Sequence, residues 1–383
     1  MNPQAALVQK AYDSETLLYM AIDDSKSRWS VVFSDGSKIK CTSMVAGDFE
    51  KLGERIDRAA SKLGLPDGFR VAACYEAGYG GFWLYRKLVN MGILAVVVDP
   101  GSVEQPKSSG KRPKTDRLDA RRLVRKLVQF AAGDALVFSP VWVPDPDDED
   151  DRRIGRERRR RVAERTGHIN RIRQLLHTQG IKEMPSPRED DWKVWLDEVQ
   201  TGDGRLLGEA LKGELCRERR RFLQADALIE ELEQVQAQWL EQRSQTQKAQ
   251  MITQMTWLKS VGMQTAWTLV MEMFGWRKFR NRREVGAYVG LCGTPHKTAG
   301  KGPDKGMSKA GNAHVRALAI ELAWNWVRWQ PDSELTQWFN ERFADHGSRM
   351  RRRGIVALSR KLLNRLRLFV ETGEVPNGAR LQT

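Results

Sequence analysis

The chain has 383 residues, 40% hydrophobic and 30% charged, with thirteen tryptophans. That is apolar material for two or three buried cores, and it excludes a disordered chain. The 64 Lys+Arg outnumber the 49 Asp+Glu, a net charge of +15, which implies a polyanionic partner, most simply DNA or RNA, bound in a salt-sensitive way. Cys41, Cys74, Cys216 and Cys292 form no CxxC pair, which argues against a zinc site or a disulfide framework. The start, MNPQAALVQKAYDSE, lacks a signal-peptide pattern. No apolar run approaches the roughly 20 residues that span a bilayer. A soluble, cytoplasmic protein is expected, with no membrane partner.

The first 130 residues alternate between strand and helix patterns. Leu17 to Ile22 (LLYMAI) and Trp29 to Phe33 (WSVVF) read as strands, and Asp35-Gly36 marks a hairpin turn before a third strand near Lys38 to Cys41. Helical spacing covers Phe49 to Leu63. Phe69 to Tyr75 is a buried strand, Gly81 to Asn90 a helix, and Ile93 to Val98 another buried strand. A basic loop, Pro100 to Pro113, leads to a helix from about Asp116 to Phe130. This order predicts an α/β domain with a mixed sheet.

Composition shifts at Pro144. PDPDDEDD precedes RRIGRERRRR, an acid-then-base order that suits the dipole of a helix continuing to Gly180. A Pro- and Gly-punctuated connection, Met184 to Gly204, carries Trp192 and Trp195. A second long helix is expected from Gly208 to Met251. In it Leu228, Leu232, Val235 and Trp239 have the spacing of a coiled-coil seam, read either as packing within one chain or as a dimer contact. From Trp257 the pattern is helical, interrupted by one polar loop, Thr294 to Asn312, with four glycines and four lysines. Helices follow at about Ala313 to Trp329, Ser333 to Phe343 and Gly354 to Glu371.

Four acids stand where chemistry can gather. Asp23 and Glu76 each follow an apolar strand, and strand ends are where α/β sheets collect ligands. Asp116 and Asp119 lie three apart at a helix start and share a face. Asp24 competes with Asp23, although alternation turns it to the opposite side of the sheet. Four carboxylates together require cations, and oxygen-only donors favour Mg²⁺ or Mn²⁺. Two such ions can activate a nucleophile and stabilise a leaving oxygen at a phosphodiester. The plain alternative is that these are ordinary strand-end and helix-capping acids.

Candidate phosphate contacts are Arg152, Arg153, Arg156, Arg158, Arg159, Arg160 and Arg161, on a helix that also carries Arg165, Arg171 and Arg173. A second cluster runs from Arg349 to Arg353 and includes Arg351 and Arg352. Lys114, Lys297, Lys301 and Lys309 add basic loop positions. Trp324, Trp326 and Trp329 share a helix and are expected in a core. His168, His177, His296, His314 and His346 show no metal-ligand spacing.

AIDDSK (21–26), YEAGYGGFWLYRKL (75–88), VVDP (97–100) and KTDRLDARRL (114–123) follow one another in order. So do LKSVGMQTAWTLVMEMF, FRNRREVGAYVGL, GMSKAGNAHVRALAIELAW and RRRGIVALSRKLL. The chain resembles, over nearly its whole length, the DEDD transposases of bacterial insertion sequences related to the Piv and MooV DNA invertases, the bridge-RNA-guided recombinases. The resemblance implies a RuvC-like (RNase H-type) domain over 1–140, a basic coiled-coil region over 141–255 and a C-terminal transposase domain over 256–383. It places the metal-binding tetrad on Asp23, Glu76, Asp116 and Asp119, choosing Asp23 over Asp24.

The family also has a serine nucleophile in a segment resembling GLTPTPYQSGDS. The matching stretch is GLCGTPHKTAGK, 290–301, so Thr298 stands where the serine does and Ala299 replaces a glycine. Thr298 is one candidate nucleophile and Ser308 another; impaired strand transfer is the third reading. The resemblance further implies Mg²⁺, a structured guide RNA, target and donor DNA, and a homo-oligomer, dimer or tetramer. A resolvase-like nuclease without a covalent intermediate is the rival. A second departure is Val261-Gly262-Met263-Gln264, where the family has Gly-Ile-Gly in a turn resembling a helix-hairpin-helix.

Overall fold

The computed structural model describes residues 3–14, 16–103, 116–294 and 305–382. The chain divides into two compact units, Met1–Val143 and Pro144–Thr383, at the proline where composition shifts.

The first unit opens with helix α1 (Pro3–Ser14), which the sequence pattern did not suggest. Strands β1 (Leu17–Asp24), β2 (Arg28–Ser34) and β3 (Ile39–Val45) follow, then helix α2 (Phe49–Leu63), strand β4 (Arg70–Glu76), helix α3 (Trp83–Asn90), strand β5 (Leu94–Val98) and helix α4 (Asp116–Ala131). The sheet runs β3-β2-β1-β4-β5. The first three strands are antiparallel, while β4 lies parallel to both β1 and β5.

Why β1 sits centrally is plain from LLYMAI, which has no polar residue to offer solvent. Leu18, Met20 and Ile22 point into the core that also holds Leu52, Ile56, Leu84 and Leu88 of α2 and α3. Leu17, Tyr19 and Ala21 point into the opposite core, against Val8 of α1 and Ala120, Leu123, Val124 and Leu127 of α4. α2 spans the predicted interval residue for residue. Asp48 accepts from the Lys51 N–H at its start, and Gly64 at φ +74° ends it.

The second unit is helical. It contains α5 (Pro146–His177), α6 (Trp192–Glu198), α7 (Glu209–Gln242), α8 (Gln247–Thr256), α9 (Met263–Leu269), a π-helical turn at Val270–Phe274 and α10 (Arg282–Tyr288). Strands β6 (Gly293–Thr294) and β7 (Lys305–Met307) pair antiparallel, and α11 (Ala313–Trp329), α12 (Glu334–Phe343) and α13 (Ser348–Thr372) complete it. The second long helix ends earlier than expected. The chain breaks at Arg243–Thr246, where Thr246 caps α8 by accepting from the Ala249 N–H.

α5 and α7 pack along their lengths, through a stripe that shares Trp239 with the expected seam but leaves Leu228 and Val235 outside it. The inward positions of α7 are Leu215, Phe222, Ala225, Ile229, Gln236 and Trp239, whereas Leu228 and Val235 are exposed. The apolar spacing was real, but charged residues share the buried stripe. Glu218 and Asp226 lie in it, bonded to His168 and Arg165 of α5. A hydrophobic-only reading therefore shifts the face by one residue. Of the three tryptophans on α11, only Trp326 is fully buried, donating to Ser333 Oγ at 3.1 Å; Trp324 and Trp329 are exposed. Ser260 sits at φ +88° just before Gly262, the N-cap of α9. Left-handed backbone at that turn is where a glycine would be at ease.

Candidate active site

Two of the four acids come together through sheet register. The parallel ladder between β1 and β4 runs to Ile22 opposite Tyr75, and Asp23 and Glu76 are the next residues on the two strands. Alternation puts both on the face that carries Tyr19, Ala21, Ala72 and Cys74, the face covered by α4. Asp23 is half-buried and Glu76 exposed. Asp24 goes the other way. Its Oδ1 accepts from the Trp29 indole N–H at 2.8 Å, and a Cβ on Gly80 would lie 2.4 Å from its Oδ2. Asp24 thus serves the packing of Trp29, on the opposite side of the sheet from Asp23.

Asp116 begins α4, and its side chain lies outside the described residues. Asp119 is half-buried, and its Oδ1 accepts from Arg122 Nη1 at 3.3 Å. α4 presses on the sheet close by, since Leu123, one turn further on, has its carbonyl 3.9 Å from Cys74 Sγ. Among the described residues, no three His, Cys, Asp or Glu side chains approach closely enough to hold a metal. The donor chemistry nevertheless fits a hard cation. Cys74, the one thiol on β4, is fully buried, and burial together with the Glu76 charge pushes its pKa well above the ordinary range. That burial leaves carboxylate oxygens as the accessible donors on this face.

The loop expected to carry a nucleophile springs from a tightly specified base. Gly290 (φ +66°) and Gly311 (φ +90°) cross so closely that a Cβ on Gly290 would fall 1.9 Å from the Ala310 carbonyl oxygen. A Cβ on Gly311 would fall 2.2 Å from that of Tyr288. The Ser308 N–H donates to the Cys292 carbonyl at 2.9 Å, and Lys309 N–H to that of Gly290 at 3.2 Å. Asn312 caps α11 through the His314 and Val315 N–H groups. Ser308 and Lys309 are exposed on this base. Thr298, Lys297 and Lys301 lie outside the described residues, as does Lys114. Gly290→Ala should destabilise the second unit by about 3 kcal/mol or more, because backbone must move to admit the methyl. A thermal melt beside Gly306→Ala, where a Cβ meets nothing within 4 Å, checks this; equal melts would contradict it.

The arginine run of α5 divides by helical face. Arg156 grips buried Glu272 bidentately, at 2.7 and 2.9 Å. Arg152 is buried and stacks over Trp276 with its guanidinium carbon 4.4 Å from the ring centroid. Arg158 donates to Glu233 at 2.8 Å, Arg161 to Glu164 at 2.9 Å, and Arg171 to Glu214 at 2.8 Å. Arg165 and Arg188 converge on Asp226. Arg153, Arg159 and Arg160 face solvent, Arg153 beside Asp150 at 3.1 Å and Arg160 beside Glu164 at 3.7 Å. The acidic start of the helix has a structural task too: Asp148 and Asp151 both accept from Lys248 at 2.6 Å.

Glu272 is the residue that sequence reasoning missed. It lies on the π-helical turn, 5% exposed, and also accepts from Asn312 Nδ2 at 3.2 Å. Tyr288 donates its hydroxyl to the Glu272 backbone carbonyl. Burial alone would raise the carboxyl, but Arg156 and Arg152 outweigh it and hold it below its usual value. His314 is held low by burial and then by Arg159. The available signal was one charge inside the apolar stretch TLVMEMF.

A family model, "Transposase IS116/IS110/IS902 family", matches residues 253–337, from α8 to α12 and across the β6–β7 hairpin. "Putative transposase y4rJ" of Sinorhizobium fredii (strain NBRC 101917 / NGR234) is 34% identical, covering 96% of this chain and 95% of its own length. "Putative transposase y4qE" of the same strain is 30% identical over 66% of this chain and 58% of its own length. "Transposase for insertion sequence element IS1533" of Leptospira borgpetersenii is 29% identical over 34% of this chain and 36% of its own. With a relative matched end to end and the family's own model lying on the hairpin and its supporting helices, the chain belongs to the IS116/IS110/IS902 family of transposases.

Proposed function

We propose that the chain is the DNA recombinase of a bacterial insertion sequence, cleaving and exchanging strands at a Mg²⁺-dependent carboxylate site in a RuvC-like domain. The observation that carries this reading is the placement of Asp23 and Glu76 at adjacent parallel strand ends, on the sheet face that α4 covers with Asp119. The mixed sheet, with three antiparallel strands followed by two parallel ones, supports the RuvC-like assignment.

Asp23, Glu76, Asp116 and Asp119 would hold the metal, which supplies Lewis-acid polarisation of the scissile phosphate. The Thr298 hydroxyl attacks phosphorus. A threonine-phosphate ester forms, the bond to one sugar oxygen breaks, and the hydroxyl proton passes to base or solvent while the leaving oxygen acquires one. The methyl of threonine stiffens χ1 and crowds the attack relative to serine; Ser308, at the exposed foot of the hairpin, is the second-ranked hydroxyl. A structured RNA encoded by the element pairs with target and donor DNA, so the protein reads mainly backbone charge. Exposed Arg153, Arg159 and Arg160 on α5 suit that task. The exposed Leu228 and Val235 suit pairing between copies in a dimer or tetramer.

Threonine in place of the family's serine favours one other reading, a metal-dependent nuclease that uses water and forms no protein–DNA bond. A denaturing gel separates the two: DNA carrying the element ends becomes covalently linked to the protein only under the first.

A further inference from the structure

α13 lies beside the β6–β7 hairpin, and a cavity of about 660 Å³ opens between them. Leu291, Met307, Val356 and Ala357 form its apolar part, and Arg349, Arg352, Arg353 and Arg360 its walls. The Arg360 stem passes close over Gly286, where a Cβ would sit 3.2 Å from its Cδ. A separate cavity of about 600 Å³ also has Arg360 in its lining, but there Glu334 is present as well and pairs with Arg365 at 3.7 Å.

The contrast with α5 is informative. There Arg156, Arg158, Arg161 and Arg165 each meet a carboxylate. In the α13 cavity, among the described residues, none of Arg349, Arg352, Arg353 and Arg360 has an ion pair. Four arginines lining one apolar recess favour an anion that enters it. The volume falls within the roughly 300–1,000 Å³ of small-molecule clefts. An apolar recess with a cationic rim suits a planar base carried on a phosphate chain. A continuous duplex, with its bases stacked inside, offers no such unit.

We propose that this cavity seats one unpaired nucleotide of a DNA strand, its phosphates on Arg352, Arg353 and Arg360 and its base against Val356, Ala357 and Met307. The proposal rests on the DNA-recombinase reading and adds to it a strand-opening role next to the nucleophile loop. Arg351, though adjacent, does not line the cavity, which makes it a same-charge control.

The test is fluorescence anisotropy of the full-length protein with two DNA duplexes of one sequence, fully paired or with a single-nucleotide flap, across a salt series. The wild type binds the flap duplex more tightly. Arg352→Gln with Arg353→Gln weakens flap binding by at least about tenfold and removes the preference, whereas Arg351→Gln lowers both affinities together, with the salt slope falling by about one. Ala357→Trp, which fills the recess without changing charge, also removes the preference while circular dichroism stays that of the wild type. A wild type without flap preference, or a preference that survives both variants, overturns the proposal. An RNA flap bound as tightly as the DNA one overturns the DNA assignment. A wild type that binds neither duplex sinks the parent reading as well, an outcome distinct from loss of preference alone.

Discussion

Asp23→Asn slows DNA strand cleavage by on the order of a thousandfold, since a metal contributes several kcal/mol of transition-state stabilisation and each 1.36 kcal/mol is tenfold. Asp24→Asn, one residue away, stays near wild-type rate. The amide introduced there keeps an oxygen to accept from the Trp29 indole and faces the core of α2 and α3, away from the Asp23 side. The measurement is single-turnover cleavage of an element-end DNA in Mg²⁺, with near-ultraviolet circular dichroism to confirm that Trp29 stays packed. Equal losses in the two variants would contradict the division of labour between adjacent acids.

Glu272→Ala lowers the stability of the second unit by about 3–5 kcal/mol, the range for removing one partner of a buried ion pair. Arg156 then loses both of its hydrogen bonds to Glu272, and Asn312 loses a cap-side contact. For a unit of this size the melting temperature falls by about 10 °C. Arg156→Ala in the same chain adds little further loss, because half-exposed Arg156 is solvated once Glu272 is gone, and the charge left buried is that of Arg152. The pH dependence follows from two depressed groups. Glu272 is held below its ordinary value, so its contribution is present above the unfolded carboxylate pKa and is lost as pH falls through the lower folded one. His314, also depressed, favours its neutral form, so stability declines as pH falls below about 6.5. Both act in the same direction, and below about pH 4.5, where the carboxylate itself titrates, stability should drop less steeply in Glu272→Ala. A parallel pH curve for wild type and variant would contradict the ion pair's role.

Most of the first unit was legible because burial alternates simply there. LLYMAI and FRVAACY have cores on both sides, and α2 presents one apolar stripe between an aspartate cap and a glycine stop. The sheet face of Asp23 and Glu76 was legible for the same reason, since each ends a strand whose parity assigns it, whereas Asp116 and Asp119 lie on a helix. α1 was not, because its sequence PQAALVQKAYDS mixes apolar and polar positions without a sharp stripe. Within the chain the helical pair meets through a stripe one residue away from Leu228 and Val235, sharing Trp239 with the expected seam. Its interface is half ionic, and Asp226 with Arg165 and Arg188 does there what leucines do in a simpler coil. The same long-range pairing hid which arginines face solvent: Arg156 and Glu272 are 116 residues apart, and no local pattern joins them. The cavity beside α13 was invisible because it needs the hairpin and the helix side by side. Sequence alone shows RMRRR as one cluster, without revealing that Arg351 stays out of its neighbours' cavity.

The most direct measurement is a denaturing gel of end-labelled DNA carrying element ends, incubated with the protein, its co-purified RNA and Mg²⁺. The wild type yields a protease-sensitive, protein-linked band. The band is absent with chelator, in Asp116→Asn with Asp119→Asn, and in Thr298→Ala, and it returns in Thr298→Ser. Free cleaved ends without any linked band, or a linked band that persists in the double aspartate variant, would contradict a carboxylate site acting with a hydroxyl nucleophile.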